Sequence, residues 1–464
     1  MATDLSGIEL SASAPLALDA WNGVARGFLT HAADTPDHLN RLLAAEPDRV
    51  LPHAVRALFC LTLGRRAMWA SAREALARAD AAAVRNPPDA RERAVLEAAR
   101  LWLAHRPTRA ADVVDRYLDE APHDAFAMKL VQIIRFSTGD ARGMRRSLER
   151  TAAAHGADHW ARGHHLGARA FAWEETGDYD AALRFGHEAV ELNRDDAWAV
   201  HAVAHVHEMR ADTQAGLLWL EAHEPGWGHC NNFSYHVWWH KALVLLGAGR
   251  HREVLALYDS HVRAHRTDDY RDIANATSLL ARLMLDGVDV GDRWEELADL
   301  AQAHAEDGTL VFGDLHAMLA LIGGDRREAQ KRLVRSMVVE GPTADGDERV
   351  KTRTRPGLAL AQGLEAFGEG DHERAARHLL AGQPHMRLIG GSHAQRDVFE
   401  RIAIEAALRA GRFRDAARLL DERTALCGGH EDAFAAARRD LIETATQGEP
   451  PMSHAHGSHA ATVN

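Results

Sequence analysis

Short turn sequences recur along this chain of 464 residues, and each places a glycine between two stretches of helix-forming residues. They are Thr138-Gly139-Asp140, Thr176-Gly177-Asp178, Ala248-Gly249-Arg250, Gly323-Gly324-Asp325, Glu369-Gly370-Asp371 and Ala410-Gly411-Arg412. The interval from Gly139 to Gly177 is nearly the same as that from Gly370 to Gly411, and it is close to the unit length of known helical repeats. The interval from Gly177 to Gly249 is almost twice as long and leaves room for two such units. A helical repeat of this length predicts stacked helical hairpins.

The composition favours helices throughout the chain. The sequence has only 5 tyrosines and few β-branched alternations, whereas Ala, Leu, Arg and Glu dominate. The clearest unit spans residues 165–193, with Phe171 and Trp173 before the turn and the small residues Ala181 and Ala182 after it. Its length is close to the roughly 34-residue tetratricopeptide repeat and to the longer units of related solenoids. We therefore predict an all-α fold, an α-solenoid of tetratricopeptide-like helical hairpins with a right-handed superhelix.

The sequence divides into one long repeat region and two short ends. Residues 1–14 are small and polar and are expected to be flexible, and the helical repeat domain is predicted for residues 15–446. Gly, Pro and dense mixed charge at residues 339–356 predict a surface loop or an interruption between two halves. The tail 447–464 is predicted to be disordered. Its histidines His454, His456 and His459 either bind a stray metal ion or are simply solvated.

Charge and cysteine content exclude several classes of protein. The net charge of -12 argues against a general nucleic-acid or anionic-membrane surface, because phosphates are met by clustered Lys and Arg. Cys60, Cys230 and Cys427 are too few and too scattered for a disulfide framework or a cysteine-rich zinc module. We find neither a signal peptide nor an apolar run long enough to span a membrane. The expected location is the cytoplasm.

Two histidine pairs stand at helical spacing in the middle of the chain. His201 and His205 are followed by Glu208, so that the three fall in one stripe of a helix, and His236 and His240 repeat the i, i+4 spacing. Imidazoles and a carboxylate from adjacent helices suit a zinc, iron or manganese site. Two alternatives remain open, namely metal-free acid-base or substrate-binding histidines and a purely structural hydrogen-bonded network.

Four further residues are candidates for substrate binding, namely Trp239, Asp314, His316 and Gln395. Trp239 precedes His240 and belongs either to the core or to a ligand platform. Asp314 and His316 lie near the predicted start of another helix. Asp314 is interpreted as a helix cap or, alternatively, as an acceptor that orients a histidine of the groove.

A third polar stretch follows Gly390-Gly391. Ser392 and Gln395 fit a capping box, in which two side chains satisfy the free N–H groups of a helix start. His393, Arg396 and Asp397 then share roughly one face of the helix. His393 and Arg396 at a helix start would suit an anionic oxygen, with Asp397 orienting His393, and a solvated salt-bridge face is the alternative.

These motifs resemble the tetratricopeptide repeat protein 38 family. The segments H-A-V-A-H-V-H-E-M, H-V-W-W-H-K-A-L, F-G-D-L-H-A-M and I-G-G-S-H-A-Q-R-D-V-F carry the resemblance, which extends from the N-terminal helices to about residue 440. It implies a soluble α-helical repeat protein. The matched positions are His201, His205, Glu208, His236, Trp239, His240, Asp314, His316, His393, Gln395, Arg396 and Asp397. The segment 227–231 has no counterpart in the family pattern.

Two functional hypotheses follow. In the first, a histidine-rich site in the concave groove hydrolyses a small molecule, with His201, His205, His236 and His240 holding a divalent metal such as zinc or positioning a water, and Glu208 as general base. This hypothesis requires the imidazoles to converge. In the second, the groove is a non-catalytic scaffold for a peptide or protein. An enclosed pocket bordered by histidine would favour the first, and an open continuous groove the second.

Overall fold

The computed structural model describes residues 2–10, 15–339 and 346–447 of the chain. Within these ranges the protein is helical apart from one pair of two-residue strands, which confirms the predicted all-α class. Aspartates mark many helix starts. The side chains of Asp124, Asp140 and Asp178 each accept a hydrogen bond from the backbone N–H three residues further on, which satisfies a donor that the helix itself leaves free.

The first third of the chain contains both strands and eight of the helices described. They are β1 (Ala2–Thr3), β2 (Glu9–Leu10), α1 (Pro15–Thr30), α2 (Thr35–Ala45), α3 (Val50–Thr62), α4 (Arg66–Arg85), α5 (Ala90–Leu103), α6 (Pro107–Glu120), α7 (Ala125–Ser137) and α8 (Ala141–Thr151). A 3₁₀ turn at Ala152–Ala154 follows.

The middle of the chain continues the pattern with α9 (Arg162–Glu174), α10 (Tyr179–Leu192), α11 (Ala197–Met209), α12 (Thr213–Ala222), α13 (Phe233–Gly247), α14 (His251–Leu257) and α15 (Tyr270–Leu285). A 3₁₀ turn at Glu224–Trp227 precedes α13, and a π-helical turn at Tyr258–Val262 follows α14.

The last third contains α16 (Trp294–Ala303), α17 (Val311–Gly323), α18 (Arg327–Met337), α19 (Glu348–Thr352), α20 (Leu358–Gly368), α21 (His372–Gly382), α22 (His393–Arg409), α23 (Phe413–Leu426) and α24 (Ala433–Gln447). Its short turns are Gly291–Arg293, Arg353–Gly357 and Gln383–Ile389.

Successive helices pack in pairs, as α3 with α4, α9 with α10 and α20 with α21. Between α9 and α10 the backbone of Gly177 has a φ of 82°, a conformation that strains residues with a side chain, and Asp178 then caps α10. Glycine thus ends one helix and aspartate begins the next. In the turn Gly323-Gly324-Asp325 the positive φ of 51° belongs to Asp325 instead of a glycine.

Helices that are distant in sequence also meet in the interior. Helix α11 packs on α9 and α13, and α15 packs on α13, α17 and α22. Helix α1 contacts α7, and α11 contacts α22. The central helices are therefore covered on several sides, and polar side chains on them need partners within the protein. None of the helices in the described ranges combines the length and the apolar character needed to cross a bilayer.

The N-terminal segment that was expected to be flexible is partly anchored. Ala2 lies opposite Leu10 in the antiparallel pair. Asp4 accepts a hydrogen bond from Nε1 of Trp21 at 2.9 Å and forms a buried ion pair with Arg91 at 2.7 Å. The composition of the N-terminal segment does not predict this contact, because Arg91 lies far along the chain. Residues 1 and 11–14 lie outside the described residues.

The predicted charged loop at residues 339–356 contains helical structure. Helix α19 begins after Asp347, whose carboxylate accepts a hydrogen bond from the backbone N–H of Arg349, and a π-helical turn follows directly. The cap thus starts a short helix between Gly346, whose φ is 77°, and the non-helical backbone of Arg355 before Pro356. Residues 340–345 lie outside the described residues. So do residues 448–464, which make up nearly all of the predicted histidine-rich tail, while Gln447 ends α24.

Candidate functional site

Four histidines from two neighbouring helices meet inside the protein. Helix α11 carries His201 and His205, and α13 carries His236 and His240. The Nε2 atom of His201 lies 3.0 Å from that of His205 and 3.1 Å from that of His236. The Nε2 atoms of His236 and His240 are 3.3 Å apart. One nitrogen from each ring lies within 4.8 Å of the others. The structure thus brings together the four residues that were predicted as metal ligands.

Acceptor side chains hold the outer nitrogens of the two α13 histidines. Nδ1 of His240 lies 2.9 Å from Oε2 of Glu208, and Nδ1 of His236 lies 2.9 Å from Oδ1 of Asn275. When Glu208 is ionised, its carboxylate oxygen only accepts a hydrogen bond, as does the amide oxygen of Asn275, and both Nδ1 atoms then carry the ring proton. In the neutral rings, the Nε2 atoms of His236 and His240 are therefore left with lone pairs that point toward one another.

The outer nitrogens of the two α11 histidines have different surroundings. Nδ1 of His205 faces Oε2 of the fully buried Glu174 at 3.4 Å. Nδ1 of His201 is buried and has no hydrogen-bond partner within the described ranges. His201 is thus the ring whose tautomer no neighbour fixes, and it can share one Nε2 proton with His205 and His236. The contact between His236 and His240 has no proton unless one of these rings is charged.

Burial keeps most of these rings neutral. It lowers the pKa of His236 to about 4. It also lowers the pKa values of His201 and His240 well below the ordinary histidine value, and the neighbouring imidazoles add to the effect. Burial opposes protonation of His205 as well, but the Glu174 carboxylate outweighs it, so that the pKa of His205 is raised. With Glu208 ionised and both rings neutral, His236 and His240 therefore face one another as two lone pairs.

This arrangement has the chemistry of a cation site. Tetrahedral binding at metal–nitrogen distances near 2.1 Å places neighbouring ligand nitrogens roughly 3.4 Å apart. The three close contacts in the cluster measure 3.0, 3.1 and 3.3 Å. A carboxylate or amide oxygen on the outer nitrogen is also the usual support of a metal-binding imidazole. His201, His205, His236 and His240, which we call the histidine cluster, could hold a divalent transition metal.

Glu208, which was predicted as a general base, lies behind one of the rings. Its carboxylate binds the outer nitrogen of His240, so that the imidazole separates it from the centre of the cluster. Burial raises the pKa of Glu208 to about 7. Its position corrects the predicted role, because Glu208 orients His240 instead of facing a water at the cluster. Glu174 and Asn275 were not predicted, because neither lies three or four residues from a histidine of the cluster in the sequence.

An apolar cavity of about 490 Å³ adjoins the histidine cluster. His201 and His236 form part of its wall, beside the aromatic rings of Trp198 and Phe233. Helices from α1 to α22 contribute to the wall, so that both halves of the chain enclose it. Such a volume and lining are typical of sites for small molecules.

Trp239, which was predicted to bind substrate, belongs to the core. It is fully buried, and its Nε1 donates a hydrogen bond to Oγ of Ser278 at 3.1 Å. The ring stacks on His236 with centroids 5.2 Å apart and planes inclined by 16°. Trp239 therefore fixes the orientation of a cluster histidine from behind and is not part of the cavity wall.

Asp314 and His316 also have places other than those predicted. Asp314 does not cap α17, and burial raises its pKa to about 7 although the Arg353 guanidinium opposes this. Nδ1 of His316 donates to the main-chain carbonyl of Phe312 at 2.8 Å. The two side chains make no contact with each other, and His316 is a structural histidine.

The predicted capping box at the start of α22 is confirmed. The Ser392 hydroxyl accepts a hydrogen bond from the backbone N–H of Gln395, and Oε1 of Gln395 accepts one from the backbone N–H of Ser392. Both residues also border the apolar cavity. Because Oε1 of Gln395 accepts the capping hydrogen bond, we assign Gln395 primarily a structural role at the start of α22.

His393 and Arg396 are held by the end of α9. Nε2 of His393 lies 3.1 Å from the carbonyl oxygen of Glu175, and Nη2 of Arg396 lies 3.6 Å from the Glu175 carboxylate. Nη2 of Arg396 also lies 3.2 Å from Nδ1 of His393. These contacts fix the start of α22 against α9. For His393 and Arg396 they take the place of the predicted role, which was to stabilise a negative charge on a substrate.

Asp397 does not orient His393 as predicted, because arginines take its carboxylate. Oδ2 of Asp397 lies 2.6 Å from Nε of Arg401, and its Oδ1 lies 2.6 Å from Nε of Arg423. Burial alone would raise the pKa of Asp397, but these groups and Arg282 hold it well below the usual range. With Glu208 and His393, Asp397 borders a second cavity of about 480 Å³ with a charged wall.

A comparison of the sequence with known protein families finds no family whose pattern matches the chain. The assignment of function therefore rests on the geometry of the site.

Proposed function

We propose that the histidine cluster binds one divalent transition metal ion such as zinc, and that the protein is a metal-dependent hydrolase of a small molecule bound in the apolar cavity. One observation carries the proposal. The Nε2 atoms of His236 and His240 lie 3.3 Å apart, and with Glu208 ionised they face each other as two lone pairs while Glu208 and Asn275 hold the outer protons. A cation between these nitrogens converts a repulsive contact into two bonds.

The four histidines have different roles in this proposal. His236 and His240 are held by hydrogen bonds to Asn275 and Glu208, and His205 faces the Glu174 carboxylate at 3.4 Å, so these three are the proposed stable ligands. His201 has a free Nδ1 and borders the cavity, so it serves as a further ligand or takes a proton from the reacting water. A zinc ion held by these residues would supply a nucleophile for hydrolysis at neutral pH.

The apolar cavity supports a small-molecule substrate over the alternative of a peptide scaffold. Its wall is drawn from helices near both ends of the described chain, whereas a scaffold groove would run open along successive repeats. The substrate therefore meets the cluster through the face that carries His201 and His236.

We also propose that the helical pairs form a tetratricopeptide-like α-solenoid with a right-handed superhelix, and that the chain is related to the tetratricopeptide repeat protein 38 family. The regular spacing of the glycine turns and the paired packing of α9 with α10 support this. A cytoplasmic location is supported by Cys60, Cys230 and Cys427, which are free thiols.

Elemental analysis of the purified protein tests the metal site. We expect about one equivalent of metal in the wild type and a loss of most of it in a His205→Ala, His240→Ala double variant. The matched control is a His155→Ala, His165→Ala double variant, which removes two other buried imidazoles whose rings stack at 4.5 Å. The control should keep its metal. A wild type that takes up no zinc on dialysis, or a cluster variant that retains it, would overturn the proposal.

A further inference from the structure

A buried lysine stands in the wall of the apolar cavity. Lys129 on α7 is only 5% exposed, and its Nζ lies 4.0 Å from the centre of the Trp198 ring. The Trp198 ring lies next to His201, with ring centres 5.1 Å apart. The ammonium group is thus one aromatic ring away from the histidine cluster, in the same cavity.

The positive charge of Lys129 has no carboxylate partner. Within the described ranges no carboxylate oxygen comes within 4.0 Å of its Nζ. The acid that acts on it most strongly, Asp196, uses its carboxylate to cap α11 and to bind Nδ1 of His164 at 3.1 Å. Burial lowers the pKa of Lys129 to about 8. A buried ammonium without a counter-charge is costly, and its retention calls for a ligand that supplies the charge.

His31 completes one side of this position. Its Nε2 lies 3.0 Å from Nζ of Lys129, so it accepts a hydrogen bond and carries its own proton on Nδ1. The ring packs against both Trp198, at 5.3 Å, and Phe233, at 4.3 Å. The backbone of His31 has the left-handed φ of 57° directly after α1, and its carbonyl accepts a hydrogen bond from the backbone N–H of Asn231. These contacts fix the ring beside Lys129.

The other cation in the wall is already neutralised. Arg271 binds Asp269 through two hydrogen bonds, of 2.9 and 2.6 Å. The cavity therefore offers one uncompensated positive charge, that of Lys129, surrounded by aromatic and aliphatic side chains. A single charge on an apolar wall is matched by a monoanion with an apolar body, such as a carboxylate, and not by a dianionic phosphate.

We infer that the apolar cavity binds a monoanionic amphiphile, a carboxylate with an apolar body, and that Lys129 with His31 recognises its anionic group. As the identity of a substrate this rests on the proposed function, but as a binding site it does not require the metal. The carboxylate would lie against Lys129 while the apolar body fills the cavity toward Trp198 and the histidine cluster.

Binding of octanoate and of octan-1-ol, measured by tryptophan fluorescence and calorimetry, tests this inference. We expect the wild type to bind octanoate at least tenfold more tightly than octanol, and Lys129→Met to bind both equally. Lys129→Arg should restore part of the preference. The matched control is Lys241→Met, which removes another lysine beside a tryptophan, one that pairs with Glu224 outside this cavity. This variant should keep the full preference.

The His205→Ala, His240→Ala variant separates this inference from the metal proposal. If Lys129 recognises the anion, the variant keeps its preference for octanoate even when it has lost its metal. If the preference disappears with the metal, the carboxylate is a metal ligand and the role of Lys129 is refuted. Equal binding of octanoate and octanol by the wild type, or no binding of either, would also refute the inference, whatever the metal content.

Discussion

The support that Glu208 gives to His240 provides the sharpest test of the metal centre. In Glu208→Gln the amide oxygen can still accept the hydrogen bond from Nδ1 of His240, which is 2.9 Å long in the structure, but the negative charge is lost. Hydrogen bonds to charged groups contribute about 1.5–3 kcal/mol and neutral ones about 0.5–1.5 kcal/mol. The difference of roughly 1–1.5 kcal/mol corresponds to about a tenfold loss of metal affinity.

Two further variants extend the predicted losses of metal affinity to a ranked series. Glu208→Ala removes the acceptor altogether, and the expected loss of affinity is about a hundredfold, the upper end for residues that support a metal ligand. Asn275→Ala removes a neutral acceptor from His236 at 2.9 Å and should cost about tenfold. The predicted order of zinc affinity is therefore wild type first, then Glu208→Gln together with Asn275→Ala, and Glu208→Ala last.

Competition for zinc with a chromophoric chelator at constant pH measures these affinities. Glu296→Gln is the matched control, because the Glu296 side chain is 20% exposed, against 19% for Glu208, and binds Arg263 instead of a histidine. Its zinc affinity should equal that of the wild type. Affinities of both Glu208 variants within twofold of this control would show that Glu208 does not act on the metal, and the proposed support of His240 would be wrong.

Three other predictions concern stability, measured by urea unfolding. Asp397→Asn should cost about 2 kcal/mol, because the guanidinium groups of Arg401 and Arg423 lose one of their two carboxylates and then share that of Asp432. The folded pKa of Asp397 is lowered, so its contribution to stability is complete above the unfolded pKa of about 3.9 and is lost as the pH falls below that value. The difference in unfolding free energy between the wild type and Asp397→Asn should therefore shrink at pH 3. Gly411→Ala should cost about 1 kcal/mol for backbone strain alone, whereas Gly139→Ala, whose new methyl group would overlap a main-chain carbonyl, should cost more.

The sequence was sufficient for the features that depend on local geometry. The i, i+4 spacing of His201 with His205 and of His236 with His240 places each pair on one helix face wherever the helix lies. Their convergence needs only that α11 and α13 be neighbours, which consecutive hairpins provide. The capping box of Ser392 follows from the same kind of local rule.

Features that depend on which distant helices meet could not be predicted in this way. Asn275 reaches His236 only because α15 packs on α13. Asp397 and His393 stand at i, i+4, but Arg401 stands one turn further on and takes the carboxylate.

Charge balance distinguishes a metal centre from a purely structural histidine network. The buried Glu174 and the partly buried Glu208 bring carboxyl groups to the outer nitrogens of His205 and His240. Without a metal, His205 can neutralise Glu174, because that carboxylate raises the pKa of His205 against the effect of burial. Burial lowers the pKa of His240 and raises that of Glu208 to about 7, so the second pair has no charged ring to neutralise its carboxylate. A divalent cation at the Nε2 atoms would remove this conflict, because it binds a neutral His240 and supplies positive charge one ring away from Glu208.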